Sequence, residues 1–211
     1  MTRPEPERPQ AGASSTDGAR DPQGAGGLAR PGPTLAALLA LQPLGDLVRT
    51  GWVQHGVASP ESIAAHVLGT GFVILGLGPR VRPDLDVDRA IALALVHDAP
   101  EALIGDLPRA ASRLLPAGAK RKAEEGAARE LLPPLSALAQ ARFDEYCAGS
   151  SREARFARVC DRLQLGVRLV GYRRAGALGL EEFEETLRAL DCGEFEPARE
   201  LQREILAALA R

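Results

Sequence analysis

Apolar side chains recur along most of this chain at the three- and four-residue spacing of an amphipathic helix. The clearest stripe follows Ser151, where Phe156, Cys160, Leu163 and Val167 fall on one face. Ala and Leu dominate the periodic segments, and both residues favour helices over strands. The pattern therefore predicts an all-α fold, with helices over residues 34–47, 60–77, 87–98, 120–132, 135–148, 151–174, 181–190 and 197–209.

Residues with strong backbone preferences mark where several of these helices begin or bend. Ser59 precedes a proline and an acid, which predicts the start of the second helix. Asp84 or Asp86 is expected to cap the third helix. Residues 49–52 are expected to form a loop. Pro100 lacks a backbone N–H and is expected to bend the chain after the third helix.

The first 33 residues differ from the rest in composition. They are rich in Pro, Gly, Ala, Ser and charged residues. Such a segment cannot bury enough apolar surface to offset its ordering entropy, which predicts a disordered tail, with a docking peptide as the functional alternative. Residues 34–211 are enough for one domain with a full core, and no internal repeat or second boundary is visible.

Charge and cysteine content narrow the class of protein. The chain of 211 residues has a formal net charge of −2, so no basic surface is expected and nucleic acid is not predicted as a partner. The chain has an odd number of cysteines without CxxC spacing, namely Cys147, Cys160 and Cys192, which fits a reducing compartment. No stretch of ~18 continuous apolar residues is present. We therefore expect a cytoplasmic protein without a membrane span.

Three ionisable side chains stand at the end of an apolar segment. His97 and Asp98 follow an apolar run, and Glu101 lies four residues after the histidine. If the helix continues, Glu101 lies near both residues. Buried charge is tolerated only when it is paired, hydrogen-bonded or bound to a metal. One imidazole and two carboxylates here suggest a cation site with a spare carboxylate for proton transfer.

Three further side chains have two interpretations when the residues are considered alone, and a fourth, Asp106, has one. His66 lies on an apolar helix and fits either a core histidine or a ligand. Asp161 fits either a solvated carboxylate paired with Arg158 or a site residue. Trp52 fits a core anchor or a substrate contact. Asp106 fits a cap for the segment that follows it.

Taken in order, three groups of residues resemble the HD-domain metal-dependent phosphohydrolases, an all-helical superfamily named for an adjacent His-Asp pair. The match spans about residues 41–172 and is closer to one branch, the 5'-deoxynucleotidases, which remove phosphate from deoxyribonucleoside monophosphates. The groups are Arg49-Thr50-Gly51-Trp52, Gly56-Val57 and Pro60-Glu61-Ser62 followed by His66; Ala94-Leu95-Val96-His97-Asp98, Glu101-Ala102 and Gly105-Asp106-Leu107-Pro108; and Arg158-Val159-Cys160-Asp161-Arg162-Leu163.

This resemblance implies one divalent metal ion at the centre of a helical bundle. Its ligands would be His66, His97, Asp98 and Asp161. Two imidazoles and two carboxylates suit Mn, Co, Fe or Zn better than Ca. Glu101 would position or deprotonate the attacking water.

The resemblance also implies a pocket for a small-molecule nucleotide and suggests a homodimer. Arg49 and Trp52 match the region that holds the 5'-phosphate. Asp106 matches the residue that reads the sugar, where a carboxylate would favour a 3'-hydroxyl and crowd a 2'-hydroxyl. The implied substrate-contacting residues are Arg49, Trp52, Asp106, Leu107, Pro108 and Arg109.

Two departures from the family pattern keep other hypotheses open. Ala65 stands where many members have an acid, which could remove an outer partner of His66. Arg109 stands where a small hydroxyl residue is common. An HD phosphohydrolase that acts on another nucleotide phosphate ester, such as a cyclic or alarmone nucleotide, is therefore the second hypothesis. A third, an inactive helical interaction module, predicts that ligands are missing.

Overall fold

The regular structure of residues 30–210, the part of the chain that the computed structural model describes, is helical. Within those residues there is no strand, and Val48 and Ser62 form only an isolated antiparallel bridge. The predicted all-α fold is confirmed for this part. Its helices are α1 (Pro33–Ala40), α2 (Thr50–Gln54), α3 (Ile63–Leu77), α4 (Val87–Val96), α5 (Glu101–Ile104), α6 (Arg109–Leu114), α7 (Ala119–Leu131), α8 (Ala137–Ala148), α9 (Arg152–Arg174), α10 (Glu181–Arg188) and α11 (Glu196–Leu209).

The first helix differs from the prediction in its bounds, and most of the predicted tail is not described by the structure. Residues 1–29 of the tail lie outside the described residues, and Pro33 is already the first residue of α1. The helix expected over residues 34–47 is two pieces, α1 and a 3-10 turn over Gln42–Gly45. Pro43 lies in that turn, where it cannot donate the hydrogen bond that a continuous helix needs.

Helix α9 is the longest element and lies at the centre of the bundle, packed against α3, α4, α8, α10 and α11. Ser151 caps its start by accepting a hydrogen bond from the backbone of Ala154 at 3.0 Å. The predicted stripe is buried at Phe156, Cys160 and Leu163. Val167 was expected to belong to that stripe but is 46% exposed, because the later part of α9 turns Gly166 and Leu169 inward instead.

The chain between α1 and α3 differs from the prediction in two places. Residues 49–52 were expected to form a loop, yet α2 begins at Thr50. Helix α3 begins at Ile63 and is capped by Ser62, not Ser59. The reason is tertiary: Arg49 donates its backbone N–H to the carbonyl of Glu61 at 2.9 Å, and this pairing holds the preceding segment extended.

Helix α4 is capped by Asp86, which accepts from the backbone of Arg89 at 2.9 Å, and it ends at Val96. The helix does not continue past Pro100. Residues 97–100 form tight turns, and α5 restarts at Glu101. His97, Asp98 and Glu101 therefore lie on consecutive turns and not along one helical face.

One helix is long and apolar enough to resemble a membrane-spanning helix. Helix α3 with its 3-10 extension, Ile63–Arg80, has the length and mean hydropathy, 1.3, of a candidate membrane span. A core helix of a water-soluble protein passes the same test. Its buried side chains include His66 and Thr70, and it packs on α4 and α9. The absence of a membrane span stays a prediction.

Candidate metal centre

The four predicted ligands lie together where α3, α4 and α9 meet. His66 comes from α3, His97 and Asp98 from the end of α4, and Asp161 from α9. The Nε2 atom of His66 lies 2.9 Å from Oδ1 of Asp161 and 3.8 Å from Oδ2 of Asp98. The Nε2 atom of His97 lies 3.2 Å from Oδ2 of Asp98 and 3.9 Å from Oδ1 of Asp161. The Nε2 atom of each imidazole therefore has an oxygen of both carboxylates within 4 Å, although Asp98 and Asp161 are far apart in the sequence.

The hydrogen bonds at the outer nitrogens set the direction in which the two imidazoles face. His97 Nδ1 donates to the carbonyl oxygen of Ala94 at 2.6 Å, and His66 Nδ1 donates to Oε1 of Gln164 at 2.5 Å. A carbonyl oxygen can only accept, so each Nδ1 carries the hydrogen in the neutral ring. Each Nε2 then presents a lone pair to the cluster, as a metal-ligating histidine does.

The inner atoms of this cluster fit a cation. Both Nε2 atoms are buried and neither has a partner with hydrogen-bond geometry. Ligand atoms of His66, His97 and Asp98 lie within 4.8 Å of one another. Lone pairs and carboxylates that converge in a buried place repel one another unless a positive charge lies between them. Two nitrogens and two carboxylates form a donor set that suits a first-row divalent ion.

The charges of the cluster displace its pKa values in the directions expected for ion pairing. Burial opposes the charge on His97, but the carboxylates of Asp98 and Asp161 outweigh it and raise the His97 pKa to about 9. Burial would raise the pKa of Asp98, yet His97 and Arg49 hold it well below its usual range. For Asp161, burial is outweighed by the contact with His66 and the charge of His97, and the pKa falls to about 2. The cluster therefore favours ionised carboxylates at Asp98 and Asp161 with a positive charge beside them.

Glu101 lies beside the cluster and differs from the two aspartates in its electrostatics. Its side chain is buried, and Oε2 has no hydrogen-bond partner. Burial and the charges of Asp98 and Asp106 raise its pKa to about 9, against the opposing charges of Arg49 and Lys120. A carboxyl group in this state binds a proton readily, which is the property that proton transfer at a reacting centre requires.

Helix α2 holds Arg49 against the cluster. Arg49 is the N-cap residue of α2, and its Nη1 lies 3.1 Å from Oδ2 of Asp98. The N-terminus of α2 is in turn held by Asp106, whose Oδ2 accepts the backbone N–H of Thr50 at 2.5 Å. The hydroxyl of Thr50 donates to the carbonyl of Asp106 at 3.0 Å. Asp106 was considered as a cap for the segment that follows it, but it caps a helix 56 residues earlier.

Trp52 has the packing of a core anchor. Its side chain is 1% exposed, stacks on Phe183 with ring centroids 4.1 Å apart, and meets the edge of Tyr172. Its indole Nε1 donates to Oε1 of Glu61 at 3.1 Å. Trp52 also lines the cleft next to Arg49. The direct substrate contact expected of Trp52 is untested and stays a prediction.

A cleft of about 680 Å³ opens beside the cluster. Leu107, Pro108 and Arg109 form part of its wall, and Arg109 donates to the hydroxyl of Thr186 at 2.8 Å. Lys120, which the sequence did not single out, also lines the cleft and donates to the carbonyl of Leu107 at 3.3 Å. The space and the mixed lining are those of a small-molecule site.

The ion pair considered for Asp161 from sequence alone is not formed. Arg158 donates to the carbonyl of Cys147 and lies over the ring of Tyr146, while Asp161 contacts His66. Arg162 is the nearer guanidinium to Asp161, at 3.6 Å. Helical spacing favours Arg158, because residues three apart face each other and adjacent residues do not. The contact of Asp161 with His66 joins two helices, and spacing along one helix does not reveal it.

Comparison with known proteins relates the chain to one family. Residues 42–188 match the HD domain. Among solved structures, the crystal structure of the PH0347 protein from Pyrococcus horikoshii OT3 is similar to this chain. The match has a TM-score of 0.71 and 30% sequence identity, and it covers 82% of this chain and 99% of the PH0347 chain.

Two curated yeast proteins are also similar to this chain. It is 30% identical over 132 residues to 5'-deoxynucleotidase hdd1 of Schizosaccharomyces pombe, a match that covers 60% of this chain and 65% of the relative. It is 37% identical over 78 residues to 5'-deoxynucleotidase YGK1 of Saccharomyces cerevisiae, a match that covers 36% of this chain and 35% of the relative. The chain thus spans less than two thirds of each of these relatives.

Proposed function

This chain belongs to the HD-domain family, and we propose that it is a metal-dependent hydrolase that removes the 5'-phosphate from deoxyribonucleoside monophosphates. The observation that carries the proposal is the convergence of two imidazoles and two carboxylates beside the unpartnered carboxyl group of Glu101. The names of the two yeast relatives support the choice of substrate.

The proposed ligands are His66, His97, Asp98 and Asp161. Their donor set supports a borderline divalent ion such as Mn, Co, Fe or Zn. A divalent ion bound there would lower the pKa of water and neutralise charge that develops on the phosphoryl oxygens. Phosphate monoesters hydrolyse extremely slowly without such help. The inactive-module hypothesis predicts missing ligands, whereas all four proposed ligand residues are present in the sequence.

In the proposed mechanism, Glu101 accepts a proton from the attacking water at Oε2, which requires a bound cation to offset the charges of Asp98 and Asp106 that raise the Glu101 pKa. The burial of Oε2 and its lack of a partner support this role. A carboxylate within hydrogen-bond reach of the water orients it toward phosphorus as well as removing its proton. The proton taken up by Glu101 is then available for the leaving 5'-oxygen of the nucleoside.

Arg49 is proposed to bind the phosphate, and the loop from Asp106 to Arg109 to bind the sugar. A guanidinium group gives a charge-assisted and potentially bidentate contact with phosphate. Asp106 is held at the N-terminus of α2, which supports a fixed carboxylate against the deoxyribose. That carboxylate would accept a hydrogen bond from a 3'-hydroxyl and leave no room for a 2'-hydroxyl. Leu107 and Pro108 would form the apolar wall beside it.

A second candidate is hydrolysis of another nucleotide phosphate ester. The observation that favours it is the number of basic side chains in the same cleft, because Arg109, Arg158 and Arg162 line it in addition to Arg49. A substrate with more than one phosphate would use them. A single domain over residues 34–211, a homodimer, a cytoplasmic location and the absence of a nucleic-acid partner also stay predictions.

The test is phosphate release by metal-reconstituted protein from a panel of nucleotides. Turnover of deoxyribonucleoside monophosphates, with little turnover of the ribonucleotides, supports the first proposal. Turnover only of cyclic, alarmone or polyphosphorylated nucleotides supports the second. Absence of both turnover and bound metal would reject both. A chelator-treated sample is the control, because it separates metal-dependent release from contaminating phosphatase.

A further inference from the structure

Four polar side chains form a buried chain of hydrogen bonds behind the proposed metal centre. His66 Nδ1 donates to Gln164 Oε1 at 2.5 Å, and Gln164 Nε2 donates to Glu61 Oε2 at 2.9 Å. Trp52 Nε1 donates to the other oxygen of Glu61 at 3.1 Å. Gln164 is 5% and Glu61 4% exposed. Such burial of polar groups is costly unless every group has a partner, which these side chains provide for one another.

The contacts in this series of hydrogen bonds fix which atom donates and which accepts at each step. The indole Nε1 of Trp52 can only donate and takes up Oε1 of Glu61, while Oε2 of Glu61 accepts from the amide nitrogen of Gln164. The amide oxygen of Gln164 then faces His66 and can only accept, so the Nδ1 atom of His66 must carry the hydrogen. The Nε2 atom of His66 is left with its lone pair toward Asp161. Glu61, by accepting from Gln164, thus sets the tautomer of a residue that it does not touch.

The backbone of α3 leaves space for this arrangement at one position. A Cβ atom added to Gly69 would lie 2.8 Å from Nε2 and 2.9 Å from Cγ of Gln164. Gly71, on the same helix, has nothing within 4 Å of the equivalent position. Ala65 is exposed, so an acid at that position would point away from the chain of hydrogen bonds. The outer partner of His66, which position 65 does not provide, is therefore supplied from α9.

We infer that Gln164 is a positioning residue for the metal ligand His66, and that Glu61 acts through Gln164 to hold His66 in the ligating tautomer. The inference rests on the proposed metal centre. Outer partners of ligating histidines raise metal affinity by fixing the ring and its tautomer, and their loss typically costs ~10–100-fold in affinity. The other ligating imidazole, His97, uses a carbonyl of its own helix and does not depend on Gln164.

The experiment measures the Co²⁺ affinity of the full chain by competition with a chelator, without substrate. Gln164→Met keeps the length of the side chain and removes the amide acceptor, and we expect about tenfold or greater loss of affinity. Gln164→Glu keeps an oxygen toward His66 and, in its protonated form, a donor toward Glu61, so it should restore most of the affinity. Gln202→Met is the matched control, because the amide of Gln202 also donates and accepts hydrogen bonds, to the carbonyls of Leu187 and Leu190 and from Cys192, but to none of the proposed ligands.

A second pair of variants covers the case in which Gln164→Met does not fold. Gly69→Ala should displace Gln164 and weaken Co²⁺ binding, whereas Gly71→Ala should leave binding unchanged. Equal Co²⁺ affinity in wild type, Gln164→Met and Gly69→Ala would overturn the inference and leave Gln164 a structural residue. If the wild-type chain binds no Co²⁺, the proposed metal centre fails as well. Since no substrate is used, failure of the proposed phosphatase activity alone leaves this measurement intact.

Discussion

Replacement of Glu101 by glutamine isolates the proton-transfer step of the proposed mechanism. Glutamine has the same shape as the carboxyl group but cannot accept a proton from water. Because Oε2 of Glu101 is buried and has no partner, no neighbouring group is expected to be orphaned by the change. General acid–base catalysis typically contributes ~10²–10⁴-fold, and we expect turnover of a deoxyribonucleoside monophosphate to fall by about that factor. The loss corresponds to roughly 3–5 kcal/mol of activation free energy.

The assay is initial-rate phosphate release at saturating substrate, with Co²⁺ content measured on the same samples. Glu101→Gln should bind Co²⁺ with the same stoichiometry as the wild type, because Glu101 is not a proposed ligand. Glu124→Gln is the control: Glu124 lines the same cleft but is paired with Lys120 at 3.5 Å, and its rate should not change. An unchanged rate in Glu101→Gln would remove Glu101 from the mechanism. Loss of Co²⁺ together with activity would make it a ligand instead.

Three further predictions concern metal binding, pH and phosphate recognition. Asp161→Ala should weaken Co²⁺ binding by more than the ~10–100-fold expected for loss of an outer partner, and normal occupancy in an equilibrium dialysis would contradict its role as a ligand. In the metal-free protein, the pKa values of His97 and Glu101 are both raised to about 9, so the folded state holds protons that the unfolded chain releases above about pH 6.5 and 4.5. The free energy of unfolding should therefore fall as pH rises from about 4.5 to 9, and most steeply between 6.5 and 9, where both groups contribute. Co²⁺ affinity should increase over the same range because Co²⁺ displaces protons. Flat profiles in denaturant and Co²⁺ titrations would refute this. Arg49→Gln should lower kcat/KM by about 10–100-fold, the value of a charged hydrogen bond of ~1.5–3 kcal/mol, and unaltered kinetics would place the phosphate elsewhere.

Much of the fold follows from local signals in the sequence. The cap Asp86, one of two candidates, and the break at Pro100 were predictable because capping and proline effects depend on a few neighbouring residues. The start of α3 was not predictable in this way, because Ser59 and Ser62 are both plausible caps. The pairing of Glu61 with Arg49 decides between them, and that contact links different segments.

His97 and Asp98 indicated a cation site by their place after an apolar run, whereas His66 and Asp161 were identified through family motifs, since helical periodicity alone favoured a core role for His66 and a solvated role for Asp161. The partners behind them could not be predicted in this way. Gln164 is separated from His66 by 98 residues, and Asp106 from Thr50 by 56. A buried glutamine on the apolar face of α9 was a usable signal, because an amide in that position requires a partner.

The most direct test of the account is an anomalous-diffraction map from crystals of the chain loaded with Co²⁺. We predict a single strong peak with Nε2 of His66 and His97 and carboxylate oxygens of Asp98 and Asp161 at coordinating distances of ~2.0–2.2 Å, by analogy with zinc–ligand distances. A map without a peak at this position, or an ion there that lacks His66 and Asp161 as ligands, would contradict the proposed centre.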